Sequence, residues 1–342
     1  MAWFRRLYRD LPVPLMGPAI KIQVLLGIKK PIRLARVFFA LTYRCNAGCP
    51  MCSIANYKSR KNELGTGEVK SVIDQLRRIS VDEIRFFGGE PLLRKDLVEL
   101  VRYTATKGIK PTVFTNGYLL SEKKVKELKD AGIWQVWVGI DSPCCNDHNT
   151  SRKLPGCFEN AVRGIKHCVK SGIKVTIVTV ATKSALKNGD VETIIHLGKE
   201  LKASKVHIST PSMIGGWMHA KGKMLDSADY KKIAHLTRDG FADSEVKELC
   251  GNMYRQCLVK AKVRMYISCY GDVQPCWALP LSFGNVRETP LAEILGRMHR
   301  WMSRQKFSAE LPDCLVNDEQ LRQNYMRNAN SNTQLPIRIN EP

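Results

Sequence analysis

The chain has 342 residues, of which 44% are hydrophobic, and a formal net charge of +22. That length supports one large domain with a smaller companion, and twelve scattered cysteines are too sparse for a small disulfide scaffold. No run of about 20 apolar residues is available to cross a bilayer, and Pro12, Pro14, Pro18 and Lys21 break the apolar N-terminal stretch before any signal-peptide cleavage site.

A cytoplasmic protein with metal-bound thiols is the expectation. Residues 1–36 form a first segment, in which Arg5, Arg6, Arg9, Lys21, Lys29, Lys30, Arg33 and Arg36 face a single acid, Asp10. Trp3, Phe4, Leu7, Tyr8 and Leu11 interleave with the first of them. Basic and apolar residues together predict peripheral contact with an anionic membrane. An extension packed on the domain with a solvated basic face is the alternative. Charge also attracts nucleic acid, but no nucleic-acid-binding motif accompanies it, so no such partner is expected.

From Val37 the pattern alternates. Strand-like runs fall at 37–43, 83–87, 110–115, 134–140, 173–181 and 204–209, with helical patterns at 66–79, 95–108, 121–131, 158–171 and 190–202 between them. Gly108, Gly132 and Gly172 stop three of the helices just before the next strand. Strands alternating with helices imply a parallel sheet. Six such units predict an α/β fold, a partial (β/α)6 TIM-like barrel, over residues 37–225. Its site is expected at the carboxyl ends of the strands.

Directly after the first strand comes Cys45-Asn46-Ala47-Gly48-Cys49-Pro50-Met51-Cys52. Three thiolates in so short a loop suit an iron–sulfur cubane with one iron lacking a protein ligand. Zinc or unliganded thiols are the plainer alternatives. After the second strand comes Gly88-Gly89-Glu90-Pro91. Two glycines permit close backbone approach to a ligand, and Glu90 with the neighbouring carbonyls can accept from an ammonium group. Taken alone, the same four residues make a plain turn.

Together, the C-x3-C-x2-C loop, the Gly-Gly-Glu-Pro turn and the β/α repeat resemble the radical S-adenosylmethionine (AdoMet) superfamily. The resemblance implies a [4Fe–4S] cluster on Cys45, Cys49 and Cys52, with AdoMet bound to the open iron. It implies reductive cleavage of AdoMet to a 5′-deoxyadenosyl radical that removes a hydrogen atom from the substrate. It also places Gly88, Gly89, Glu90 and Pro91 at the cofactor, with Asn116 and Ser142 after the third and fourth strands. Arg152 is implied to pair with the cofactor carboxylate, near His148, and Pro211 and Ile214–Gly216 to flank the adenine. Met51 stands where many relatives carry an aromatic residue.

From about 226 the rhythm changes to a small α+β extension, 226–320, followed by a polar tail, 321–342. Cys257, Gly271 and Cys276 stand in the pattern Cys-x13-Gly-x4-Cys, with Cys314 downstream. This resembles the SPASM or twitch extension of the same superfamily and implies one auxiliary [4Fe–4S] cluster. Cys257, Cys276 and Cys314 are its implied ligands, with Cys250 preferred over Cys269 as the fourth. Buried thiols and structural zinc are the alternatives. The implied partners are a reductant such as flavodoxin or ferredoxin and a peptide or small-molecule substrate. A peptide- or protein-modifying maturase is the first expectation. A lipid or tetrapyrrole-like cofactor pathway at the membrane is the second, and a non-catalytic iron–sulfur electron carrier the third.

Overall fold

The computed structural model describes residues 36–56, 62–217, 220–249, 252–255, 264–305, 315–317, 319–326 and 336–339. The expectations for residues 1–35 and for Cys250, Cys257 and Cys314 lie outside them.

Six β/α units follow in chain order, as the periodicity predicts. The strands are β1 (Arg36–Thr42), β2 (Glu83–Gly88), β3 (Lys110–Thr115), β4 (Gln135–Gly139), β5 (Lys174–Val180) and β6 (Lys205–Ser209). Between them run α1 (Thr66–Arg78), α2 (Leu97–Thr106), α3 (Glu122–Asp130), α4 (Cys145–Arg152), α5 (Cys157–Lys170), α6 (Lys183–Asn188) and α7 (Asp190–Glu200). Two short helices, α4 and α6, were not expected. Helix α4 buries only His148, so it carries no apolar stripe for a periodicity argument to find.

Two further parallel strands continue the sheet beyond the six expected. The chain goes on through α8 (Ser227–Leu236), β7 (Ala242–Ser244), β8 (Val246–Leu249), β9 (Asn252–Arg255), β10 (Arg264–Ile267) and β11 (Val273–Gln274). Strand order in the nine-stranded sheet is β11-β10-β1-β2-β3-β4-β5-β6-β7. All neighbours are parallel except the β10–β11 pair. Strand β10 belongs to the extension and pairs with β1, placing Arg264 beside Arg36 and Tyr266 beside Phe38. A local reading cannot see that pairing, because its partners lie far apart in the chain.

The remaining elements are β12 (Leu281–Ser282), α9 (Leu291–Arg304), α10 (Glu319–Met326) and β13 (Ile337–Arg338). Helix α9 buries Leu291, Ile294, Leu295, Met298, Trp301 and Met302. Its first amide, on Leu291, donates to Gln75 Oε1 of α1 at 2.8 Å.

The strand period of two divides β1 between two cores. Val37, Phe39 and Leu41 pack outward among the helices. Phe38 and Ala40 face the barrel interior with Tyr266, against Tyr43, Phe87, Phe114 and Trp277. Full barrels fill that space mostly with branched aliphatic side chains; here it is aromatic and charged.

Candidate active site

The cysteine loop leaves β1 at its carboxyl end and is held from four sides. The Gly-Gly turn is the first. Gly89 N–H donates to Thr42 O and Glu90 N–H to Arg44 O, both at 2.8 Å. A Cβ on Gly89 would stand 2.1 Å from Arg44 O, and one on Gly88, at φ +145°, 2.2 Å from Thr42 O. Only glycine lets the two backbones lie this close.

The turn after β6 is the second side. Cβ atoms on Gly215 and Gly216 would meet Cys52 O at 2.1 Å and Pro50 O at 2.0 Å. This brings the segment implied for adenine against the third cysteine. The third side is Arg152, whose carbonyl accepts from Gly48 N–H at 2.8 Å. The fourth is Asn116, whose Nδ2 donates to Asn46 Oδ1 at 2.8 Å.

Glu90 knits two of these turns together. Its Oε1 accepts from Leu92 N–H (3.0 Å) and Thr115 Oγ1 (2.8 Å), and its Oε2 from Asn116 N–H (2.8 Å). Those donors favour the carboxylate, yet complete burial outweighs them and pushes its pKa up to about 7. Among the described residues Oε2 accepts only the Asn116 N–H, and a carboxylate oxygen has room for about two donors.

Arg152 has an internal partner that the sequence did not reveal: Nη2 lies 2.7 Å from Asp141 Oδ2, both side chains mostly buried. Gly139 makes the space, since a Cβ there would stand 2.4 Å from Nη2. Burial opposes the guanidinium charge, but Asp141 keeps its pKa above the ordinary value. Its Nε is buried with no hydrogen-bond partner. His148, fully buried, accepts from Asp141 N–H through Nδ1 at 3.2 Å. Burial and then Arg152 push its pKa down to about 4. Ser142 accepts from Cys144 N–H at 3.1 Å, a local turn bond.

Burial raises the Cys45 thiol to about 11 and also raises Cys49. Such thiols stay protonated unless a metal supplies positive charge. Among the described residues no three His, Cys, Asp or Glu side chains converge to ligating distance. The three cysteines nonetheless share one clamped loop, and their donor type suits iron.

The extension presents Cys269 and Cys276, both buried. Cys269 is raised strongly by burial and by the negative charge of the nearby Glu63 carboxylate. Glu63 also accepts from Thr42 Oγ1 (2.8 Å) and Tyr43 N–H (2.9 Å). Tyr43 and Tyr266 share a hydroxyl–hydroxyl bond of 2.8 Å. The extension therefore touches the segment immediately before Cys45.

Comparisons with known proteins agree with this layout. The model of the radical SAM superfamily matches residues 39–203, and that of the SPASM iron–sulfur cluster-binding domain matches residues 257–315. An AdoMet-dependent heme synthase of Methanosarcina barkeri is 30% identical over 288 residues, covering 75% of this chain and 81% of that protein. A PqqA peptide cyclase of Rhizobium meliloti is 28% identical over 270 residues, covering 74% of this chain and 71% of that one. The crystal structure of Streptococcus suis SuiB bound to precursor peptide SuiA superposes with a TM-score of 0.70 at 18% identity, covering 89% of this chain and 76% of that one.

The chain belongs to the radical SAM superfamily and carries its SPASM extension. It is an enzyme, which sets aside the electron-carrier alternative. Its cofactors are a [4Fe–4S] cluster and AdoMet, and the SPASM domain implies auxiliary iron–sulfur binding. When bound, cluster and AdoMet supply an electron and a carbon-centred radical. The protein's own contacts hold the cysteine loop between Gly89, Gly216, Arg152 and Asn116.

Proposed function

We propose that the enzyme directs this radical chemistry at a carboxylate-bearing tetrapyrrole, the second of the substrate classes expected from sequence. The carrying observation is the barrel interior. Phe114 and Trp137 stack at 4.6 Å between centroids. The Arg85 guanidinium lies 4.6 Å from the Trp137 ring centre and within 5.6 Å of Phe38 and Phe114. Trp137 Nε1 is buried without a hydrogen-bond partner. Aromatic faces favour a flat conjugated substrate, and the unpartnered indole N–H favours one of its acid side chains, while the Arg85 guanidinium is held by Glu83 at 2.9 Å. The names of the curated relatives support this reading: three AdoMet-dependent heme synthases at 28–30% identity, and an Fe-coproporphyrin III synthase at 35% identity over 179 residues.

The peptide reading stands second, favoured by the PqqA peptide cyclase. One assay separates the two. The reconstituted enzyme is given AdoMet, a low-potential reductant and either iron coproporphyrin III or a Cys-containing peptide. The first reading expects porphyrin-stimulated 5′-deoxyadenosine and a porphyrin product of changed mass. Stimulation by peptide alone would replace it with the second.

A further inference from the structure

We propose that the floor of the barrel, at the amino ends of its strands, docks on an anionic lipid bilayer. Parallel pairing brings the first residues of the strands to one end. Five of the eight parallel strands open on a cation: Arg36, Lys110, Lys174, Lys205 and Arg264. Register sets Arg264 beside Arg36, and Gln135 beside Lys174.

Two floor carboxylates are already engaged. Glu83 meets Arg85 at 2.9 Å and Arg36 at 3.4 Å. Asp243 meets Lys205 at 2.9 Å and His207 at 2.6 Å. Lys110 and Lys174 have no carboxylate partner among the described residues. Instead they flank Trp134, with Nζ atoms 4.2 and 4.4 Å from its ring centre. At 39% exposure, Trp134 is the one large exposed hydrophobic side chain among the described residues.

An exposed indole between two uncompensated ammonium groups is the chemistry of a membrane interface. The ring is amphipathic and settles at headgroup level, while the lysines meet lipid phosphates. Helix dipoles account for basic residues at helix C-termini, but not for cations at the starts of strands. The chain also enters β1 on this face, directly after a 35-residue sequence with seven Lys and Arg against one Asp. No helix among the described residues is long and apolar enough to cross a membrane, so such contact is peripheral. The cysteine loop lies at the opposite end of the barrel. Docking by the floor would turn the mouth toward water, and the substrate would arrive from solution rather than from the lipid.

The test is co-sedimentation of the full-length reconstituted protein with phosphatidylcholine vesicles, with and without phosphatidylglycerol. Wild type is compared with a Trp134→Ser, Lys110→Glu, Lys174→Glu variant whose iron content and circular dichroism match it. Wild type should bind only the phosphatidylglycerol vesicles, and less so as salt rises. The variant should bind about tenfold more weakly or worse. Equal binding by the two proteins would overturn the proposal, as would absence of wild-type binding. Loss of reduction by flavodoxin in the variant, with vesicle binding unchanged, would assign the surface to an acidic protein instead.

Discussion

Glu90 Oε2 accepts the backbone N–H of Asn116 at 2.8 Å, joining the turn after β2 to the turn after β3. Asn116 passes the link on to Asn46, between the first two cysteines. A single buried carboxyl thus fixes two turns of the site and, through Asn116, the cysteine loop.

That carboxyl gives ligand-free protein a pH dependence. Its folded pKa, about 7, lies above its ordinary 4.5. The folded state then binds more protons than the unfolded state in that window, so stability falls as pH rises through it. Metal-free wild type should lose roughly 1–3 kcal/mol between those values. Glu90→Gln should flatten this component in thermal melts taken across the window. A wild-type melting temperature rising over the same range, after correction by the Gln variant, would contradict the assignment.

Gly89→Ala tests the close approach of the two turns. The added Cβ meets the Arg44 carbonyl, a backbone atom that cannot swing aside. We expect a loss of about 2–4 kcal/mol and lower iron retention after reconstitution. Gly67→Ala, where nothing lies within 4 Å of an added Cβ, is the control and should be neutral or slightly stabilising. Equal effects of the two substitutions would remove the packing argument.

Much of this arrangement was legible because it is local. Hydrophobic period and glycine stops located the first six strands. The cysteine loop and the Gly-Gly-Glu-Pro turn are contiguous runs whose chemistry shows in their residue types. What stayed hidden depends on distant pairs. Asp141 reads as a plain polar residue after a strand until Arg152 folds back onto it. Glu63 looks like an ordinary loop acid, yet it accepts from Thr42 and Tyr43 and its charge bears on Cys269. The pairing of β10 with β1 leaves no mark in either segment. The floor's cations lie at or next to the starts of strand-like runs, with Lys110 opening 110–115, Arg36 just before 37–43, and Lys174 and Lys205 second in 173–181 and 204–209, but their gathering at one end needs the parallel register.

Asp141→Asn would leave the Arg152 charge buried without its anion. Removing one partner of a buried pair costs about 3–5 kcal/mol. Because the Arg152 backbone also accepts from Gly48 N–H, the loss should spread to the cysteine loop. We expect a lower melting temperature, together with weaker AdoMet binding by calorimetry on the cluster-loaded protein. Double substitution with Arg152→Met should recover part of the stability but not the binding. Full recovery of both would make the pair purely structural.

The extension's cysteines separate by iron count. Cys269 is engaged with Glu63, whereas Cys276 closes the Cys-x13-Gly-x4-Cys pattern within the matched SPASM region. Two cubanes hold roughly eight irons per chain. Cys276→Ala should lower that to roughly four while leaving reductive AdoMet cleavage measurable. Cys45→Ala should abolish cleavage and spare the auxiliary iron. Cys269→Ser should keep the full complement, because a buried thiol held protonated beside the Glu63 carboxylate is a poor iron ligand. If Cys269→Ser instead lost the auxiliary iron, the fourth ligand would be Cys269 rather than Cys250.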